Sequence, residues 1–311
     1  FLPPRTRRTR KRSRDSMNQP RFGVAPTAFR LPHDIQLGPV RLAVSNLTTS
    51  IDWYQATLGL TVSHRDDVHA QLSTANGDEP LIELEAQPGL EPLRRGHERL
   101  GLYHLALLLP NRAHLGSFIT HLSGMQARAG TADHSVSEAI YLSDPDGLGI
   151  EVYADRPADT WGVEDGQLAM DTRPLDVMDL ARAGQDQPWR GLPEGSTIGH
   201  VHLHVGDLAT SDAYYHDALG FDRVLWRYPG ASFLSAGGYH HHVGTNVWAA
   251  GAPAAGPTDP RLLHWTLRLP DAASLDALAA NLEHRGQPLT RTEQDLVSHD
   301  SWGTTVHVQI A

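Results

Sequence analysis

The stretch VRLAVSNLTTSIDWYQATLGL, residues 40–60, and the stretch VHLHVGDLATSDAYYHDALGF, residues 201–221, are two copies of one pattern. Leu47, Ser50, Tyr54, Leu58 and Gly59 of the first match Leu208, Ser211, Tyr215, Leu219 and Gly220 of the second, every pair 161 residues apart. Each copy opens with the alternation of a strand, crosses a polar turn, and continues with helical spacing up to Gly59 or Gly220, where a left-handed C-cap calls for glycine. A second repeat pairs YHLALLLP (103–110) with LHWTLRLP (263–270), aligning His104 with His264 and Pro110 with Pro270. Both are followed by an amphipathic helical pattern. An internal repeat constrains the architecture more than any single motif can.

Short strand candidates, HAQLST, PLIELEA, AIYLS and GIEVYA, fill out the units. The pattern predicts an α+β fold of four βαβββ modules starting near residues 38, 101, 198 and 261. Modules one and two make an N-terminal domain over 35–155, and modules three and four a C-terminal domain over 197–311. Between them, residues 156–196 carry RPADTWG, RPLDV and QPWRGLPEG, whose prolines and glycines predict an ordered but irregular connector. Residues 1–34 are expected to be a disordered or extended tail. Within it Arg5, Arg7, Arg8, Arg10, Lys11, Arg12 and Arg14 crowd together just ahead of Met17, so residues 1–16 read either as upstream sequence translated from a misplaced start or as a disordered arm.

The chain has 311 residues, 40% of them hydrophobic and 20% charged, and no apolar run approaches the ~20 residues of a membrane span. A formal net charge of −10 argues against nucleic-acid binding by the folded body. The absence of cysteine removes disulfides, thiolate metal sites and cysteine nucleophiles together, and with no secretory pattern at the N-terminus a cytoplasmic protein is expected. Nineteen histidines point instead to imidazole chemistry, as metal ligands or as acids and bases near neutral pH.

Four such modules resemble the vicinal oxygen chelate superfamily, which includes glyoxalase I, fosfomycin and bleomycin resistance proteins, and type I extradiol dioxygenases. The resemblance covers roughly residues 35–311. It is carried by DHSVSEAIYLSDPDGLGIEVYADRP (133–157), GHVHLHVGDL (199–208) and GGYHHHVGTNVW (237–248), which are similar to two-domain bacterial catechol 2,3-dioxygenases. The resemblance implies a metal held by a first-strand histidine from one module together with a first-strand histidine and a last-strand glutamate from its partner. Module one has Pro39 where module three has His200, and module four has His264 but His307 where glutamate is called for. The set it implies is therefore His104 and Glu151 of module two with His200 of module three. Two imidazoles and one carboxylate on one octahedral face suit iron(II), and manganese(II) accepts the same set.

Further roles follow from the resemblance alone. His240, then His134, then Tyr141, with His241 beside the first, are expected to move protons near the open coordination positions. His242, Asn246 and Trp248, which share parity with His240 on a regular strand, are expected to line the substrate pocket. The implied reaction is extradiol cleavage of a small aromatic diol by O2, with no organic cofactor, and the pairing habit of such modules admits a homodimer. Two other readings compete: a glyoxalase-like lyase or isomerase, which would recruit a fourth ligand such as Glu83, and a binding protein without catalysis. Against the latter, unpaired buried imidazoles are costly unless they are bonded or ligated.

Overall fold

The computed structural model describes residues 22–77, 79–93 and 96–311. Residues 1–16, with the basic cluster, lie outside the described residues. Module one comprises β1 (Gln36–Val44), α1 (Leu47–Trp53), β2 (Thr61–Arg65), β3 (His69–Ser73) and β4 (Ile82–Ala86). Module two comprises β5 (Gly101–Leu108), α2 (Arg112–Gly124), β6 (Gly130–Asp133), β7 (Ser137–Ser143) and β8 (Gly149–Asp155). The connector carries a short ribbon, β9 (Val163–Glu164) and β10 (Gln167–Leu168), and α3 (Val177–Ala183). Module three follows with β11 (Thr197–His204), α4 (Leu208–Asp212), β12 (Asp222–Leu225), β13 (Ala231–Ser235) and β14 (Val243–Asn246). Module four closes the chain with β15 (Arg261–Leu269), α5 (Ala272–His284), β16 (Leu289–Arg291), β17 (Asp295–His299) and β18 (Thr305–Ile310).

The chain therefore has the α+β fold of repeated βαβββ modules that its sequence predicts. Each module helix starts on an Asn or Asp whose side chain accepts the backbone N–H three residues on: Asn46 from Thr49, Asn111 from His114, Asp207 from Thr210 and Asp271 from Ser274. In modules one and three the helix then widens into a π-helical turn, Tyr54–Leu58 and Ala213–Ala218. Gly59 ends the first of these at φ +64°, and an added Cβ there would lie 2.2 Å from Gly191 Cα, so both backbone conformation and close packing demand glycine.

Two eight-stranded sheets result, and each takes one module from either half of the sequence. One runs β16-β17-β18-β15-β1-β4-β3-β2, joining modules four and one; the other runs β12-β13-β14-β11-β5-β8-β7-β6, joining modules three and two. The seams are antiparallel first-strand pairs, β1 on β15 and β11 on β5. One apolar core extends through both sheets, from Leu42, Leu84 and Leu267 to Leu107, Val152 and Leu203. Residues 22–34 run extended against module three: Val24 bridges to Arg223, Leu31 N–H donates to Gly220 O at 2.9 Å, and Arg30 grips Asp222 at 2.7 and 2.5 Å.

Sequence neighbours that do not share a sheet are tied by matched side-chain bonds. Tyr54 of module one donates to Asp144 of module two at 3.2 Å, and Tyr215 of module three donates to Asp300 of module four at 3.0 Å. Each carboxylate also caps the turn ahead of the last strand, Asp144 accepting from Asp146 and Leu148 N–H. Burial pushes the Asp144 carboxyl up to about 7 although these backbone donors pull the other way. A group titrating near 3.8 when unfolded and near 7 when folded stabilises the fold fully below about pH 4 and loses that contribution as pH rises through 7. The loss is on the order of a few kcal/mol. Asp144→Asn, which cannot ionise, is therefore expected to flatten the fall in thermal midpoint between about pH 4 and pH 8; equal slopes in variant and parent would refute the assignment.

Candidate metal centre

The seam between β5 and β11 builds the site. Register places His202 opposite His104 and His200 opposite Ala106, while β8 runs parallel on the other side of β5 with Glu151 beside Ala106. Residues two apart on a strand share a face, so His104 and His200 meet diagonally across the seam with Glu151 next to both. His104 Nε2 lies 2.9 Å and His200 Nε2 3.1 Å from Glu151 Oε2, and the two nitrogens are 3.3 Å apart. All three side chains are buried, and their ligand atoms form a cluster suited to one ion.

The donor set fits a divalent cation on its own geometry. With bonds of about 2.1 Å, ligands at right angles on an octahedron stand ~3.0 Å apart, which matches the observed separations. Protonation agrees as well. Burial pushes the His200 imidazole down to about 4, leaving it a neutral donor, although Glu151 pulls the other way. Burial alone would raise the Glu151 carboxyl, but His200 and His104 outweigh it and hold the group well below the usual carboxylate range. Two imidazoles and one carboxylate converging on one point are the donor set of a facial metal site.

Above this face opens a cavity of about 260 Å³. Phe233, Met170, Ala132 and the half-exposed Trp248 give it apolar walls, and His134, Tyr141, His202 and His241 bring polar atoms into it. Tyr141 stands opposite Glu151 in the β7–β8 register. His134 Nδ1 donates to Asp171 O at 2.9 Å, which leaves Nε2 as the acceptor for the Tyr141 hydroxyl at 2.7 Å. Burial, with the Glu151 charge added, raises Tyr141 well above the usual phenol range and keeps it protonated.

The structure brings His104, Glu151, His200, His134, Tyr141, His241 and Trp248 together, and it separates three residues from them. His240, ranked first among proton carriers by sequence, does not line the cavity: its Nε2 lies 2.8 Å from Asp155 Oδ1 and its Nδ1 2.7 Å from His241 Nδ1. The ring that faces the cavity is that of His241, packed against His200 with centroids 4.0 Å apart and the rings tilted by 42°. His242 turns to Ser235 and Ala236, and Asn246 accepts from His204 Nδ1 at 2.7 Å and from Trp248 N–H. Parity failed because residues 236–242 form a turn and β14 begins only at Val243.

Sequence reasoning missed other lining residues. His202 was detectable, since it shares a strand face with His200, and its ring packs flat on Gly244, where an added Cβ would sit 3.0 Å from the ring. Met170 and Thr172 come from the connector, which has no periodicity to read. Glu83 lies on β4 in the other sheet and accepts from Gln71, and His264 and His307 face each other there at 5.5 Å. One glycine guards the back of the site: a Cβ at Gly199 would fall 1.8 Å from the Tyr153 hydroxyl. Gly199→Ala is accordingly expected to lower stability by about 1–3 kcal/mol, the range for overpacking, as read by denaturant titration.

Comparison with known proteins agrees with this construction. A family model described as Glyoxalase/Bleomycin resistance protein/Dioxygenase superfamily matches residues 36–152 and 197–304. A catechol-2,3-dioxygenase of Bacillus subtilis (strain 168) is 41% identical over 264 residues, 84% of this chain and 92% of that protein. Among solved structures, a protein of Bacillus subtilis subsp. subtilis str. 168 superposes with a TM-score of 0.60 at 13% identity, covering 91% of this chain and 86% of the other. Glyoxalase I from Zea mays superposes with a TM-score of 0.51 at 15% identity, covering 89% and 92%. At these identities the two structures speak to the fold alone.

Proposed function

The chain belongs to the Glyoxalase/Bleomycin resistance protein/Dioxygenase superfamily, and from that premise we propose that it is an extradiol dioxygenase, opening catechol-type rings beside the diol with O2 through iron(II) held by His104, His200 and Glu151. The observation that carries this reading is the buried facial triad, set in a chain 41% identical to a catechol-2,3-dioxygenase. Iron(II) held there would supply adjacent open positions for catecholate and O2 and a path for electrons to pass from the catecholate to O2.

The protein's own residues do the rest. The apolar walls, Phe233 and Met170 among them, exclude water and hold the aromatic ring. At about 260 Å³ the cavity falls below the roughly 300–1,000 Å³ that accommodates drug-sized ligands, which favours single-ring diols. Burial pushes the His241 imidazole well below its usual range, so it meets the substrate neutral and able to accept a phenolic proton. Tyr141 keeps a second proton in the cavity wall, donated at rest to His134 Nε2, whose tautomer the connector carbonyl of Asp171 fixes by accepting from Nδ1.

The lyase reading loses its fourth ligand, because Glu83 sits in the sheet that lacks the triad. The test is isotopic: under 18O2, an iron(II)-loaded enzyme should place both labelled atoms in a ring-opened semialdehyde acid. Because the aldehyde oxygen exchanges with water, the aldehyde is trapped by rapid reduction before analysis; a carboxylate without label, or an unopened product, would overturn the assignment.

A further inference from the structure

Behind the cavity runs a chain of hydrogen bonds that ring cleavage, as described, does not use. His241 Nδ1 lies 2.7 Å from His240 Nδ1, and His240 Nε2 lies 2.8 Å from Asp155 Oδ1. His240 is fully buried, packed against Tyr239 at 4.1 Å and Trp161 at 5.3 Å between ring centroids, whereas the Asp155 side chain is a quarter exposed. Tyr239 donates to the same carboxylate oxygen at 3.4 Å and shares a 2.6 Å bond with Tyr153, whose ring rests on His200.

The polarity of this chain follows from what each atom can do. A carboxylate only accepts, so His240 Nε2 donates to Asp155. A neutral imidazole protonated at Nε2 has a bare Nδ1, which must accept. The partner nitrogen, His241 Nδ1, then carries the proton that lies between the two rings. What remains on His241 is an unprotonated Nε2 on the ring that lines the cavity.

Resting on the ring-cleavage reading, we propose that Asp155 acts through His240 as a positioning pair that fixes His241 in its Nδ1–H tautomer, presenting a bare Nε2 to the phenol of a bound catechol. The competing state has His240 as an imidazolium donating from both nitrogens, which would force His241 into the Nε2–H tautomer and put a donor where an acceptor is needed. The arrangement parallels the acid that orients a catalytic histidine in hydrolase triads, with one more ring interposed.

The test reads the tautomer itself. Ring 15N NMR on the full chain, histidine-labelled and metal-free, is assigned by the signals lost in His240→Phe and His241→Phe. His241 is expected as the Nδ1–H tautomer in the parent and as a mixture in Asp155→Ala. Asp155→Asn, whose carbonyl oxygen still accepts from His240, should restore the parent tautomer. With iron(II) loaded, Asp155→Ala should lower kcat about tenfold or more, the loss typical of removing a supporting partner, while KM and iron content stay near the parent's. A parent His241 in the Nε2–H form, or a tautomer unmoved by Asp155→Ala, would overturn the proposal. Because the tautomer is read without iron or catechol, a correct tautomer in a protein that cleaves no catechol would instead overturn the ring-cleavage reading.

Discussion

Glu151→Gln is expected to abolish ring cleavage and iron(II) retention together. The carboxylate supplies the one negative charge at the centre and touches both imidazoles, at 2.9 and 3.1 Å. A neutral amide keeps the shape, loses the charge, and offers the ion one weaker oxygen. Removing a partner that merely supports a ligand costs up to about a hundredfold in affinity or activity, so removing the ligand charge should cost more. Iron bound per chain and turnover of catechol should fall in parallel, and likewise in His104→Ala and His200→Ala. His264→Ala is the control: that ring faces His307 in the other sheet and should change neither quantity. A Glu151→Gln protein that keeps iron and turnover would remove the triad from the account.

His241→Phe is expected to keep iron and lose catalysis. The ring contacts His200 but is not among the three ligand side chains. Phenylalanine preserves an aromatic surface against His200 and removes the proton acceptor. General acid–base groups contribute about 10²–10⁴-fold, and kcat should fall within that range. The loss should shrink for a more acidic catechol, which reaches the site already ionised, and as pH is raised. An equal loss for every catechol at every pH would mean that the ring serves only to pack.

The sequence shows the modules because a strand, a capped helix and a glycine stop recur at a fixed offset, and local rules suffice to form each unit. Which modules share a sheet is less legible, since no local rule pairs β5 with β11; what pointed to modules two and three was Pro39 in place of a histidine in module one and His307 in place of a glutamate in module four. The ligands His104, Glu151 and His200 were readable by setting the repeat against the resemblance: His200 stands where module one has Pro39, and module two pairs a first-strand histidine with a last-strand glutamate where module four has His264 and His307. Choosing between His240 and His241 was not, because the resemblance marks the pair without saying which ring faces inward, and the pair stands in a turn whose backbone aims each side chain separately. The connector's part was hidden too. Asp171 O, which holds His134, and Met170 in the cavity wall come from irregular chain whose path is set by tertiary packing rather than by any periodic pattern.

The most direct test of the central claim is a single turnover experiment in air. Purified protein is loaded with iron(II) under anaerobic conditions and mixed with catechol and oxygenated buffer, with Glu151→Gln treated identically. The account predicts prompt appearance of the yellow ring-opened semialdehyde from the parent, with one O2 consumed per catechol, and none from the variant. Iron bound at the triad with catechol left intact would contradict it.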